Sequence, residues 1–397
     1  MTAGEIFDVA IVGGGLAGAT LAGILGDAGL TVALIERQPA AALEAPTYDG
    51  RTTAITFGSR QILERAGLWT LLANHACAIM EIRVADDHSP LFLHFDSREI
   101  GNDALGWIIE NRIIRRALNR RLTELPSISQ FAPAAVAVFD GNGAMAELRL
   151  EDGQRIAAEL VIGADGRGSF IRQAAGIETI GWKYGQQAIV TIIGHERPHD
   201  HVAVENFLPA GPFAMLPMND TEEGIHRSSI VWTERDDTAP LYAKMQEPLL
   251  NAELQRRAGD GLGRVWNIGP RFVYPLSLRH ALRYIGARAA LIADAAHVIH
   301  PIAGQGLNLG MRDIGLLAEL VIDRRRLGLD LGDPTLLREY EVRRRPDNFA
   351  FSLATDILDR LFSNRIPPIR AARRIGLAAV NRTPKLRRFF MRRAMGA

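Results

Sequence analysis

Three segments of this chain pair an apolar run with glycines at spacings that put bare main-chain N–H groups to chemical use. Gly13, Gly15 and Gly18 follow an apolar run at residues 7–12, the spacing with which a strand–turn–helix unit wraps a pyrophosphate. Asp165 and Gly166 follow a second such run at 160–164. Asp294 follows a third, and His300-Pro301 then leads into Gly304-Gln305-Gly306 at the mouth of an expected helix. Glycines there let amides approach an anion or the electron-rich edge of a ring. No assembled Ser-His-Asp, Cys-His or paired-carboxylate arrangement accompanies them.

The elements that must position these loops are legible in the same residues. Residues 7–12 read as a buried parallel strand and 16–28 as a helix closed by Gly29. A second strand, 31–35, ends at Glu36, placed to accept hydrogen bonds from a ribose hydroxyl. Gly13 permits the turn, Gly15 the approach of a pyrophosphate, and Gly18 the packing of helix on strand. A glycine-rich packing turn alone would not need Glu36. The fingerprint by itself leaves NAD and FAD open.

The chain has 397 residues, enough for two intertwined domains and a helical tail. Its single cysteine, Cys77, excludes an internal disulfide and reads as a buried filler, and a reducing, cytoplasmic setting follows. Residues 9–26 carry no charge but include six glycines, which fits strand, turn and helix rather than a membrane span or signal peptide. The formal charge of +1 is uneven: from Leu361 onward there are ten Arg or Lys and no acid, so the first 360 residues hold 46 − 10 = 36 basic against 45 acidic groups, a net of −9. The tail interleaves Arg370, Arg373, Arg374, Arg382, Lys385, Arg387, Arg388, Arg392 and Arg393 with apolar residues, and Leu386, Phe389 and Phe390 share one helical face. That pattern suits the inner face of an anionic membrane or a docking surface for a partner. No nucleic-acid motif accompanies it.

In this order the three segments resemble the single-component flavin-dependent aromatic hydroxylases typified by para-hydroxybenzoate hydroxylase. The runs from His300 to Gly310, Gly211 to Pro217 and Arg51 to Ala54 are similar, more narrowly, to the hydroxylases of ubiquinone biosynthesis. The resemblance implies FAD as cofactor, with Gly13, Gly15, Gly18, Glu36, Arg37, Arg51, Asp165, Gly166, Asp294, Gly306, Leu307 and Asn308 around it. Pro301, Gly304, Gln305 and Gly306 would shape the oxygen-reacting face. The family usually carries glycine before the aspartate where this chain has Ala293, a methyl expected to fit at negative φ. The resemblance further implies NAD(P)H as a visiting reductant, dioxygen, and a polyprenyl phenol as the substrate hydroxylated on its ring. A soluble small phenol, a flavin reductase or dehydrogenase, and a non-catalytic flavoprotein subunit of a biosynthetic complex are the rival readings.

The expected fold is therefore α/β: a Rossmann-like FAD-binding domain from residues 1–75, 100–183 and 275–335, and an antiparallel-sheet substrate domain inserted as 76–99 and 184–274. A C-terminal helical region with the basic tail covers 336–397. Alternation at 188–193, 202–208, 213–218 and 229–233 predicts the antiparallel strands. Phe213, Met215 and Pro217 are the candidates for substrate contact, with core packing as the competing explanation. His195, His199 and His201 fit no standard metal spacing, and no metal is expected. His297 and His300 are expected to make structural hydrogen bonds.

Overall fold

The computed structural model describes residues 5–39, 50–86, 92–101, 103–362 and 380–395. Among these residues an eight-stranded sheet carries the glycine loops. The strand Glu5–Val12 lies between Val32–Ile35 and Arg155–Gly163, parallel to both, and Ala289–Leu291 continues the parallel set beyond Arg155–Gly163. Their registers are level: Val12 is opposite both Ile35 and Gly163, and Gly163 is opposite Leu291. The carboxyl ends of the four strands thus finish along one edge, on either side of Glu5–Val12, which is where open parallel sheets bind ligands.

Burial explains the first unit. Val9, Ala10 and Ile11 are fully buried, and the helix Leu16–Asp27 is apolar almost all round because it lies between the sheet and neighbouring helices. The same core continues into Ile314, Leu317 and Val321 of the long helix Gln305–Arg326.

A nine-stranded sheet forms the second layer, with Thr179–His195, His226–Arg235, Gly211–Met218 and Val202–Leu208 antiparallel in that order. One face packs under the helices Ala239–Ala243 and Glu247–Ala258, where Ile189, Ile193, Phe213, Met215, Trp232, Leu250 and Leu254 form a cluster. The other face turns to the first sheet. Ser229 on it bonds Thr52 at 2.9 Å, and Leu216 and Met218 join Ala54 and Phe57 in a second cluster. Period-two alternation makes the two faces chemically separate.

The C-terminal region supplies the helices Pro334–Phe362 and Pro384–Met395. The tail helix seats Met391 and Met395 among Ile79, Leu105 and Met218, and Arg387 pairs with Glu99 at 2.8 Å. Leu386, Phe389 and Phe390, the predicted apolar face, are exposed. Arg370, Arg373 and Arg374 lie outside the described residues.

Candidate active site

The fingerprint loop is built by close backbone contact. Gly13 has φ +107°, and a side chain there would meet the Ala164 carbonyl oxygen at 2.4 Å. A Cβ on Gly18 would lie 1.9 Å from the Gly13 oxygen. Gly15 differs: no atom lies within 4 Å of where its Cβ would be, so its backbone borders open space. The helix it begins has neither a side-chain cap nor an acid in its first turn. Its leading N–H groups and positive dipole end are therefore free for an anion. Glu36 accepts from Gly14 N at 2.7 Å and Gln38 N at 2.8 Å, which fixes its carboxylate at the loop; Arg37 beside it is exposed.

The second and third loops are tied to each other. Asp165 caps the short helix Phe170–Ala174 through Phe170 N at 2.6 Å, while its other oxygen is buried without a protein partner. Gly166, at φ +77°, has open space on its side-chain direction. Arg172 is buried and donates to the Ala295 and Arg167 carbonyls at 2.8 and 2.9 Å, joining the 165–167 loop to the 293–295 turn. Asp294 is half-exposed, 3.7 Å from Arg167.

Ala293 departs from expectation. Its φ is +51°, in the left-handed region, so the methyl is not accommodated by a negative φ. Gly310 accommodates it instead: a Cβ at Gly310 would sit 2.7 Å from the Ala293 methyl. A left-handed alanine costs about 1–2 kcal/mol relative to the right-handed form, part of which glycine gives back as unfolded-state entropy. Ala293→Gly is therefore expected to stabilise by about 0.5–1 kcal/mol, read as a higher denaturant midpoint at unchanged slope. Gly310→Ala is expected to destabilise, and combining it with Ala293→Gly should recover part of the loss.

The loop at 301–308 opens a second helix toward the same edge. Gly304 is left-handed at φ +61° and begins Gln305–Arg326, again with no side-chain cap and no acid in the first turn. Gly306 borders open space, Gln305 is buried, and Leu307 packs on the main core. Asn308 is engaged on both sides of its amide: it donates to the Ala54 and Gly304 carbonyls and accepts from Thr56 N, at 2.7, 3.0 and 3.0 Å. Its side chain thus clamps the loop to the strand Thr52–Thr56. Pro301 precedes Ile302, which packs against Phe207 and Phe362. Arg51 stands over the Tyr274 ring at 4.7 Å, bridging the two layers.

His297 Nε2 bonds Asp313 at 2.6 Å, as expected of a structural histidine. His300 does not make the expected hydrogen bond: both ring nitrogens are buried without a hydrogen-bond partner, it packs edge-on against Tyr184 with Asp359 3.6 Å away, and burial pushes its imidazole down to about 4, so it is neutral there. The Cys77 thiol is buried, and burial pushes it up to about 11, which leaves it unreactive. The rings of His195, His199 and His201 gather but bond the Arg197, Met218 and Ala78 carbonyls at 2.7, 2.8 and 3.1 Å. A cleft of about 740 Å³ between the helix Asn111–Thr123 and the 219–223 turn is lined by charged and apolar residues alike and includes none of the glycine loops.

The substrate candidates need correcting. Phe213 and Met215 are buried in the cluster beneath Glu247–Ala258, on the face turned away from the loops, and Pro217 shares their side of the strand. Full burial of such side chains is worth about 1.5–3 kcal/mol each, which accounts for them as core. The loop-facing wall consists of Ala188, Val190, Val231, Tyr274 and Leu276, with Leu216 and Met218 beside them. Sequence reading also missed Glu205 on the same wall. The available signal was a lone carboxylate between Ala203 and Phe207, two residues either way in an alternating strand.

The fit to FAD rests on these observations: two uncapped helix N-termini facing one edge, open space at Gly15, Gly166 and Gly306, and a buried unpartnered oxygen on Asp165. Comparison with known proteins agrees. A family described as FAD binding domain matches residues 7–350. The chain is 48% identical to ubiquinone hydroxylase UbiL of Rhodospirillum rubrum over 395 residues, covering 100% of this chain and 91% of the relative. It is 33% identical to 3-demethoxyubiquinol 3-hydroxylase of Escherichia coli, covering 98% of each. The crystal structure of p-nitrophenol 4-monooxygenase PnpA from Pseudomonas putida superposes with a TM-score of 0.81 at 19% identity, covering 100% of this chain and 99% of that one, which establishes the shared fold.

Proposed function

We propose, from the premise that this chain belongs to the ubiquinone-biosynthesis branch of the FAD-dependent aromatic hydroxylases, that it hydroxylates the ring of a polyprenyl phenol using NAD(P)H and dioxygen. The carrying observation is the pairing of the two uncapped, glycine-led helix N-termini with the apolar wall of the second sheet. Gly13, Gly15 and Gly18 would hold the pyrophosphate, Glu36 the adenosine ribose, and Asp165 and Asp294 the linking portion. Arg37 and Arg51 would flank the cofactor. The amides around Gly306 and Leu307 would meet the electron-rich edge of the flavin, with Pro301, Gly304 and Gln305 shaping its face. Bound FAD supplies electron transfer from NAD(P)H and activation of dioxygen; the chain's own part is to orient the ring and keep bulk water out.

No helix among the described residues is long and apolar enough to cross a membrane. We assign contact with the lipid that carries the substrate to the exposed Leu386, Phe389 and Phe390, flanked by Lys385, Arg388 and Arg392. The test is a mass-spectrometric profile of quinone intermediates in a strain lacking the gene. A polyprenyl phenol short of one or more ring hydroxyls should accumulate, and should disappear when the gene is restored. A normal profile in the absence of any second hydroxylase gene would overturn the reading.

A further inference from the structure

The loop-facing wall of the second sheet is mostly apolar; its polar members include Ser229, bonded to Thr52, Thr233, and the carboxylates Asp86 and Glu205 on adjacent strands. Ala203, Glu205 and Phe207 point to that face, since Ala203 packs with Ile192 and Met218, and Phe207 with Ile302 of the 301–308 loop. Glu205 lies between them in the alternation, opposite Ala214 on one neighbouring strand and Val84 on the other. Among the described residues its carboxyl has no hydrogen-bond or ion-pair partner. The residue is half-buried rather than sealed from solvent, and the loss of surrounding water pushes its carboxyl up to about 7. An unpaired carboxylate among apolar neighbours costs stability, and nothing in the packing requires it.

We propose that Glu205 is the general base of the ring hydroxylation, its carboxylate taking the proton of the substrate's phenol hydroxyl; this rests on the reading of the chain as a phenol hydroxylase. The O–H bond of the phenol breaks, a carboxyl O–H bond forms, and the electron pair stays on the phenolate oxygen. That negative charge enriches the ring positions ortho and para to it, the positions at which an electrophilic oxygen adds. The ring carbon that gains oxygen then loses its own C–H proton to solvent as aromaticity returns, matching the proton taken from solvent as water is released. The proton held by Glu205 passes back to the phenolate oxygen, so the carboxylate is restored. The net change is one phenol, NAD(P)H, a proton and dioxygen converted into a diphenol, NAD(P)⁺ and water.

A base that titrates near neutrality suits this role better than an ordinary carboxylate, because it combines a usable charged fraction with a stronger pull on the phenol proton. The charged groups around it are few. The strand Gly211–Met218 carries no titratable side chain. On Glu81–Asp86, Asp86 shares the inner face one register step along, level with Phe207, while Arg83 is level with Val204 on the outer face. Facing Phe207 are Ile302 and Phe362; beside Ile302 stands the neutral His300, and the turns leading to Phe362 carry the buried Asp356 and Asp359 with Arg360, which pairs with Asp356 at 2.8 Å.

The experiment compares wild type, Glu205→Gln and Glu205→Asp as flavin-loaded full chains. It uses a short-prenyl phenol in detergent and measures product formation and kcat/KM from pH 5.5 to 9. Wild-type kcat/KM should fall tenfold per pH unit below about pH 7. Glu205→Gln should keep its flavin, lose roughly 100-fold or more of the hydroxylation rate, and show no acid limb. Glu205→Asp should recover part of the rate together with the limb. Stability should move the other way. A raised carboxyl stabilises the fold below about pH 4.5 and loses that contribution as pH rises through about 7. Glu205→Gln should therefore melt above wild type at pH 8, which a merely structural role would not give. A glutamine variant that hydroxylates within threefold of wild type and keeps the acid limb would overturn the proposal alone. A wild type that oxidises NAD(P)H yet hydroxylates no phenol would overturn the functional reading and the proposal with it.

Discussion

Replacing Gly18 with alanine is expected to give protein that purifies without flavin. The added Cβ would lie 1.9 Å from the Gly13 carbonyl oxygen, and Ala164 Cβ closes the other side at 3.1 Å. One obstacle is the loop's own backbone and the other the methyl of Ala164 in the neighbouring loop, so no flexible side chain can yield. The helix Leu16–Asp27 would have to retreat by about 1 Å or more, carrying its leading amides away from the pyrophosphate. A loss of ~3 kcal/mol in flavin binding, roughly 100-fold, is the expected scale. Gly15→Ala is the contrasting variant. Its Cβ meets no protein atom within 4 Å and its φ of −67° suits any residue, so the apoprotein should melt like wild type. The methyl would nevertheless fill the space through which the backbone reaches the ligand, and flavin affinity should fall. Visible flavin absorbance per protein and the apoprotein melting temperature separate the two effects. Wild-type flavin content in Gly18→Ala would mean that this loop does not hold the cofactor.

The part of the molecule legible in the sequence is the part governed by local rules. The fingerprint strand, its helix and Glu36 could be placed because the glycines, the apolar run and the terminal acid lie within about thirty residues and are held by main-chain geometry. The antiparallel strands were legible for the same reason, since period two is local. What alternation does not contain is which face looks inward. Phe213 and Met215 were assigned to the substrate side, and the helix Glu247–Ala258 claims them for the opposite face. The same choice of face hid Glu205. Ala293 shows a different limit. Its backbone angle is set by the turn that returns Asp294 to the sheet edge, and the space for its methyl comes from Gly310 on another element. Neither could be inferred from the residue before the aspartate. Asn308 was read as a cofactor contact, yet its side chain is taken up by nearby Gly304 and by Ala54 and Thr56, which lie some 250 residues away in sequence.

Asp313→Ala is expected to be the most destabilising of the substitutions considered, because this carboxylate is the buried centre of a four-way bond. It accepts from Ala293 N at 3.1 Å, His297 Nε2 at 2.6 Å, and Arg344 Nε and Asn348 Nδ2 at 2.8 Å each. Burial alone would raise the carboxyl, but His297 and Arg344 overcome it and hold it at about 2. Removing it leaves the Arg344 guanidinium buried without its central counter-charge, at a cost of about 3–5 kcal/mol. A fall in melting temperature of roughly 4–6 °C follows for a chain of this size. The sign with pH is fixed by the direction of the shift. The carboxylate's contribution is complete above about pH 3.8 and is lost as pH falls toward 2, so the gap between wild type and variant should close in that window. Flavin retention should fall as well, since Asp313 holds Ala293 and His297 on either side of Asp294. Arg344 and Asn348 come from Pro334–Phe362, so the C-terminal region is built into the support of the cofactor loop rather than added to it. A variant that melts within about 1 °C of wild type would show that the surrounding cations find other partners, and would remove that long helix from the account of how the loop is held.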